Sequence, residues 1–248
     1  MNLRFDETGF GDIGIYQAPE EFCYGVDAVL LADFASQGVN RRKAASCRIM
    51  DLGTGTGIVP LILSHKTKAG YIGCLEVQDH SFGLVQKNIA HNHLEERIIP
   101  FHGDVSCFGM ETELAGTFDV VTTNPPYFIG GGGLESKNPA KAIARRETTG
   151  TLDDFLRLAA KLLRDRGDFY MVHRPDRLID IAAGCRKYKL EPKELRFVSG
   201  KPMEKPNILL VHCVKHGNPE LRVLPPLAVH NEDGSYTEEI LNIYEKGI

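Results

Sequence analysis

The residues best suited to chemistry are Asn124-Pro125-Pro126-Tyr127, which directly follow an apolar, β-prone run ending at Thr123. The side-chain oxygen of Asn124 and the backbone carbonyl of Pro125 are two acceptors close together in the chain. They could accept the hydrogens of an exocyclic amino or amide nitrogen, whose lone pair is otherwise delocalised, and so free that lone pair for attack. Positioning and electrostatics would then supply most of the rate. We interpret the tetrapeptide as a site that activates an amino nitrogen.

The other two residues of the tetrapeptide suit the same role. Because the φ angle of proline is fixed, Pro126 would stiffen the turn and keep both acceptors aligned. Tyr127 could stack on a planar substrate, a contact worth about 1–3 kcal/mol for a nucleobase. The alternative is a proline-rich turn that only ends a strand.

A glycine loop lies upstream, in the pattern D-x-G-x-G-x-G formed by Asp51, Gly53, Gly55 and Gly57. It follows an apolar run and precedes a helical pattern, which is where open α/β sheets bind cofactors. Glycines there let the backbone approach a ligand closely. The third glycine of a G-x-G-x-x-G dinucleotide motif is replaced by Ile58, so the pattern does not favour a pyrophosphate site.

Two further acids stand at the ends of the next strand-like runs. Glu76 ends the second run, where a carboxylate can accept both hydroxyls of a ribose. Asp104 follows the third run and could bond an adenine amino group or simply cap a helix. Three acids at successive strand ends predict one nucleoside-like cofactor site at one edge of a sheet.

The elements that must position these residues follow from the apolar periodicity. Seven runs predict strands at 47–52, 71–77, 98–102, 118–123, 168–172, 195–199 and 208–214. Helical spacing predicts helices at 26–34, 81–92, 152–163 and 176–188, with Thr151 as an N-cap. Alternating strands and helices indicate an α/β fold with a doubly wound, seven-stranded, mostly parallel sheet. Only eight residues separate the last two runs, so these strands should be antiparallel. We expect a single domain with an N-terminal extension (1–46), a catalytic core (47–215) and a C-terminal tail packed on it (216–248).

The composition limits the class of protein. The 248 residues are 42% hydrophobic and 25% charged, which is ordinary for a soluble domain. No apolar run is long enough to span a membrane. The six cysteines have no metal-ligand spacing, so we expect no metal and reduced thiols in a cytoplasmic protein. The formal charge of −4 conceals a basic segment, 137–205, with 17 Lys and Arg against 10 Asp and Glu. That segment favours a polyanionic partner, although solvated helix faces would give the same composition.

Together the glycine loop, Glu76, Gly103-Asp104 and Asn124-Pro125-Pro126-Tyr127 resemble the class I S-adenosylmethionine-dependent methyltransferases that methylate amino groups. The resemblance implies a Rossmann-like fold with an antiparallel last strand and S-adenosyl-L-methionine as the cofactor. It implies that Asp51 and the glycine loop lie near the methionine part of the cofactor, with Glu76 at its ribose and Asp104 at its adenine. It also places Asn124 at the cofactor.

A finer similarity is to the bacterial N6-adenine methyltransferases that act on valine tRNA next to the anticodon. The segments that carry it are 22–34, 144–147, 151–154, 171–175 and 236–239. It implies methyl transfer to an adenosine N6 in tRNA, with Asp27 reaching the methionine end of the cofactor. The basic residues expected at the rim of the substrate face, where they would contact phosphates, are Lys137, Lys141, Arg145, Arg146, Arg174, Lys201 and Lys205.

Three functions remain open from the sequence. The first is a tRNA adenine N6-methyltransferase. The second keeps the chemistry but changes the acceptor to a protein glutamine N5 or a ribosomal RNA guanine N2. The third is a non-catalytic RNA-binding module that retains the fold, which the intact Asn124, Glu76 and glycines disfavour.

Overall fold

A computed structural model describes residues 3–20, 23–42, 44–108, 113–126 and 150–246. Its strands are β1 (Arg4–Glu7), β2 (Gly14–Gln17), β3 (Arg48–Leu52), β4 (Tyr71–Glu76), β5 (Ile98–His102), β6 (Phe118–Thr123), β7 (Leu163–His173), β8 (Leu190–Ser199), β9 (Ile208–Lys215), β10 (Arg222–Val223) and β11 (Leu227–Ala228). Its α-helices are α1 (Val26–Asn40), α2 (Ile58–Lys66), α3 (Asp79–His91), α4 (Leu152–Leu162), α5 (Leu178–Lys187) and α6 (Glu238–Ile243).

The central sheet has the order β10-β8-β9-β7-β6-β3-β4-β5, with β11 also pairing with β8. Strands β5, β4, β3, β6 and β7 pair in parallel, whereas β9 is antiparallel to both β7 and β8. The seven long strands and the antiparallel final hairpin confirm the predicted architecture. The four remaining described strands are short, and β1 and β2 form a separate antiparallel hairpin.

Two apolar clusters lie on opposite faces of this sheet. Ile49 and Val120 belong to one cluster, with the buried faces of α1, α2 and α3. Their chain neighbours Met50 and Val121 belong to the other, with α4 and α5. Because alternate residues of a strand point to opposite faces, a strand covered by helices on both sides must be apolar throughout. The unbroken apolar runs that predicted these strands therefore reflect a doubly wound sheet.

Some elements extend beyond the sequence-based predictions. Helix α1 continues to Asn40 instead of ending at 34, and Gly38 near its end leaves room for the phenol of Tyr170 on β7. Strand β7 begins at Leu163, where it pairs with Phe118 before an irregularity in register. The predicted cap of α4 is confirmed: Thr151 and Asp154 form a reciprocal capping box.

The two ends of the described chain pack on the core. The β1–β2 hairpin is fixed to α3 by the side chain of Asn92, which donates to the Gly14 carbonyl at 2.8 Å and accepts from the Gly14 N–H at 2.9 Å. Helix α6 buries Ile240 and Ile243 in the same cluster as α1. The division at 46 and 215 stays a prediction. Among the described residues, no helix is both long and apolar enough to cross a membrane.

Candidate active site

A cavity of about 350 Å³ opens at the carboxyl edge of the parallel strands. It is bounded by chain segments that are far apart in the sequence, and the predicted site residues among its lining are Asp27, Asp51, Gly53, Gly55, Glu76, Asp104, Asn124, Pro125 and Pro126. This volume lies within the range of small-molecule sites. Tyr127, Lys137, Lys141, Arg145 and Arg146 lie outside the described residues.

The glycine loop leaves β3 with three left-handed residues, since Gly53, Gly55 and Gly57 have φ angles of +68°, +60° and +87°. Such angles strain any residue with a Cβ, which explains the glycine spacing. A Cβ on Gly55 would have no neighbour within 4 Å, so backbone conformation, not crowding, requires this glycine. Gly57 precedes α2 as its N-cap and is not part of the cavity lining.

Glu76 ties the end of β4 to the glycine loop. One carboxylate oxygen accepts from the Gly55 N–H at 2.9 Å, and the other accepts from Val77 and Gln78 at 3.0 and 2.9 Å. The side chain is buried, and desolvation raises the pKa of its carboxyl despite these three N–H donors. Because a carboxylate oxygen has two lone pairs, Glu76 can hold the loop and still accept a ligand hydroxyl.

Asp51 is the most enclosed acid of the cavity, with 2% of its surface exposed. Burial raises the pKa of its carboxyl to about 7, and the nearby Glu76 adds to this. The Thr122 hydroxyl on β6 donates to Asp51 at 2.6 Å and opposes the shift. A carboxyl poised in this way gains charge readily when a cation arrives beside it.

Asn124 directly follows β6, and its side-chain amide donates to the Asp27 carboxylate at 3.1 Å. Asp27 lies in the first turn of α1, and Pro125 is buried behind the turn. The amide is thus held at the cavity wall, next to the loop that carries Asp51. The contact joins residues 97 positions apart, so no local pattern could have revealed it.

Asp104 holds the turn after β5, and its predicted bond to an adenine amino group stays a prediction. One carboxylate oxygen accepts from the Ser106 N–H at 2.7 Å, which forms the turn after β5. The residue also lines the cavity and is half-buried.

The described basic residues lie on neighbouring turns of the same edge. Arg174 follows β7 and pairs with Asp176 at 3.0 Å. Lys201 and Lys205 lie in the β8–β9 turn, where Lys201 donates to the Glu232 carbonyl at 3.1 Å and Lys205 is exposed. His173 is buried and accepts from the Arg174 N–H at 2.8 Å, so it forms the turn after β7. Burial lowers the pKa of its imidazole to about 4, which keeps it neutral at physiological pH.

Asn88, a completely buried residue of α3, was not among the site residues predicted from the sequence. Its amide donates to the carbonyls of Thr56 in the glycine loop and Tyr16 on β2, at 2.9 and 3.1 Å, and accepts from the Tyr16 N–H at 2.7 Å. An asparagine within the apolar face of a predicted helix was the available signal, because a buried amide needs partners.

Comparison with known proteins now identifies the family. The model of the family described as "methyltransferase small domain" matches residues 27–179, which carry all of the cavity residues named above. The chain belongs to the methyltransferase small domain family. A curated relative from Parabacteroides distasonis is 31% identical over 75% of this chain and 74% of its own, and one from Porphyromonas gingivalis is 25% identical over 89% and 86%. Both are named tRNA1(Val) (adenine(37)-N6)-methyltransferase.

Solved structures show the same fold. A predicted O-methyltransferase from Agrobacterium tumefaciens matches with a TM-score of 0.69 at 21% identity, covering 89% of this chain and 97% of its own. A Thermus thermophilus 16S rRNA N2 G1207 methyltransferase, solved with AdoMet and guanosine, matches with a TM-score of 0.61 at 18% identity over 86% and 50%. These structures confirm the predicted Rossmann-like fold, and the family match together with the curated relatives confirms a methyltransferase with S-adenosyl-L-methionine as its cofactor.

The residues that line the cavity also fit this cofactor. The cavity wall offers four acids, Asp27, Asp51, Glu76 and Asp104, which provide enough acceptors for a molecule with an amino acid end, a ribose and an adenine. In the glycine loop, Gly53 and Gly55 line the cavity without a Cβ, so a ligand can approach the backbone closely at these positions. No group of three or more potential metal ligands occurs among the described residues.

Proposed function

We propose that this protein transfers a methyl group from S-adenosyl-L-methionine to the exocyclic N6 of an adenosine in tRNA, beside the anticodon of valine tRNA, in the cytoplasm. The observation that carries the chemistry is the Asn124 amide, held at the wall of the cavity by Asp27. The names of the curated relatives, at 25–31% identity, support the substrate.

The residues of the cavity perform the binding and the orientation. When bound, the cofactor supplies a methyl group on a positively charged sulfur. Asp51 offers a negative charge for the cationic end of the cofactor, Glu76 offers acceptors for the ribose, and Asp104 offers one for the adenine amino group.

The acceptor nitrogen is activated by hydrogen bonding and does not need prior deprotonation, because it releases one proton to solvent after it has accepted the methyl group. The Asn124 side-chain oxygen and the Pro125 carbonyl accept the two amino hydrogens, which draws the nitrogen toward a tetrahedral geometry. Because the φ angle of proline is fixed, Pro125 and Pro126 hold these two acceptors in a constant relative position. Preorganised dipoles of this kind stabilise a transition state because they need no reorganisation during the reaction.

The basic turns of the same edge suit an RNA loop. Arg174, Lys201 and Lys205 lie beyond the end of β6, on the side away from Glu76 and Asp104. Lysine and arginine side chains there contact phosphates without reading sequence. Bases that are splayed from a single-stranded loop can enter a pocket at such an edge.

A labelling experiment tests the substrate. The protein is incubated with methyl-labelled cofactor and, in separate reactions, with bulk tRNA, ribosomal RNA and release factors. We expect label in tRNA alone, and nucleoside mass spectrometry should find it as N6-methyladenosine. Label only in protein would indicate a glutamine acceptor and contradict the proposal, as would label only in ribosomal RNA.

A further inference from the structure

The Asp27 carboxylate is held between the start of α1 and the Asn124 side chain. One of its oxygens accepts from the Ala28 N–H at 2.9 Å, and the other accepts from the Asn124 amide nitrogen at 3.1 Å. Both side chains line the cavity. Asp27 therefore has a fixed orientation, and it passes that orientation on to Asn124.

The two ends of an asparagine amide have opposite hydrogen-bonding character, and rotation about the terminal bond exchanges them. An ionised carboxylate can only accept hydrogen bonds. It therefore requires that the NH₂ end of Asn124 face Asp27, which directs the amide oxygen away from it.

We propose that Asp27 is a positioning residue, which sets the amide of Asn124 so that its oxygen, and not its NH₂ group, serves the amino group of the substrate. This inference rests on the proposed function, because that function gives Asn124 the role of acceptor. It differs from the role that the family resemblance implies for Asp27, which is contact with the methionine end of the cofactor.

Gly25 supplies an independent indication that the chain reserves space for this carboxylate. A Cβ at this position would lie 2.9 Å from the Asp27 oxygen that accepts from Ala28. The backbone of Gly25 is extended, with a φ angle of −112°, and any residue could adopt it. A side chain at position 25 would therefore meet the Asp27 carboxylate and displace it, whereas the backbone conformation itself would not be strained.

A reciprocal exchange of the two residues tests the inference. In Asp27→Asn the partner can present either end to Asn124, so we expect kcat to fall about 10-fold. In Asn124→Asp two carboxylates meet, and we expect a loss of about 100-fold. The double variant Asp27→Asn/Asn124→Asp restores one donor facing one carboxylate and leaves a carboxylate oxygen for the substrate. We expect its kcat to exceed that of Asn124→Asp by at least about 10-fold.

The controls separate positioning from folding and from cofactor binding. Asp33 lies on the same helix as Asp27, but its carboxylate pairs with Lys66 and it does not line the cavity. Asp33→Asn should therefore leave kcat unchanged. Calorimetric titration with the cofactor should give the same Kd for Asp27→Asn as for the wild type. Gly25→Ala crowds the Asp27 carboxylate without removing it, so it should lower kcat several-fold and leave the Kd for the cofactor unchanged.

Two results would overturn the inference. One is an Asp27→Asn protein that loses only cofactor affinity and keeps its kcat at saturating cofactor. The other is a double variant no more active than Asn124→Asp. Failure of the proposed function has a different signature, since the wild-type protein would then methylate release factors or ribosomal RNA, and the same variants would be compared on that substrate.

Discussion

The two halves of the carboxyl edge hold their polar groups in different ways. In the cofactor half, formed by the ends of β3, β4 and β5, Asp51 and Glu76 are 2% and 5% exposed, and Glu76 is bonded to the backbone. In the acceptor half, formed by the ends of β6 and β7 and by the β8–β9 turn, Lys205 is exposed and Arg174 pairs with its neighbour Asp176. Asn124 stands at the boundary of the two halves. The half proposed to bind the cofactor is thus a preorganised wall, whereas the half proposed to bind RNA is a solvated rim.

The largest effect should come from the boundary residue. Replacing Asn124 with alanine removes an acceptor that acts in the transition state, so we expect kcat to fall about 10²- to 10³-fold. The Kd for the cofactor, measured by calorimetry, should change little. A large rise in this Kd would mean that Asn124 acts in cofactor binding, and it would contradict the division of the edge into a cofactor half and an acceptor half.

Glu76 should give the next largest effect, confined to the cofactor half. Glu76→Gln turns an NH₂ group toward one of the three backbone N–H donors, and a buried unpaired donor costs about 1–3 kcal/mol. We expect the cofactor Kd to rise about 10- to 100-fold, with kcat at saturation nearly unchanged. Glu96→Gln, an exposed change near the start of β5, is the matched control and should behave as wild type.

Asp51 should make cofactor binding depend on pH. Its pKa of about 7 lies well above the ordinary value, so the carboxyl is largely neutral below pH 7 and charged above it. The cationic cofactor prefers the charged form, so affinity should rise by about 10-fold between pH 6 and pH 8. Asp51→Asn should flatten this dependence. The raised pKa also affects stability. Between about pH 4 and about pH 7 the folded state keeps a proton on Asp51 that the unfolded state has lost, so the free energy of unfolding falls as the pH rises through this range.

The smallest effect should come from the exposed rim. Lys205→Ala removes one proposed phosphate contact, so we expect the Kd for tRNA to rise a few-fold. The slope of log Kd against log salt concentration should fall by about one. Binding of the cofactor should stay the same. Lys68→Ala, another exposed lysine that precedes β4 and so lies at the opposite end of the strands, is the control. Equal losses for both variants would mean that RNA contacts are not confined to the acceptor half.

The cofactor half was largely predictable from the sequence, because local rules govern it. A buried strand, left-handed glycines and an acid at the end of the next strand are all readable within short segments around Asp51 and Glu76. The Asp27–Asn124 contact and the amide of Asn88 were not predictable, because they join segments that only the fold brings together. The end of α1 was missed for a similar reason, since a glycine at position 38 disfavours a helix locally and its packing against Tyr170 is visible only in the fold.

The buried amide of Asn88 couples strand β2 to the glycine loop. It fills three hydrogen bonds, two with β2 and one with the glycine loop. Shortening the chain past Tyr16 would leave that amide with two unmet bonds inside the protein, a cost of about 1–3 kcal/mol for each unsatisfied group. Part of that cost would fall on the loop itself. Hydrogen exchange in β2 should therefore slow when the cofactor binds, because the hairpin and the loop open as one cooperative unit.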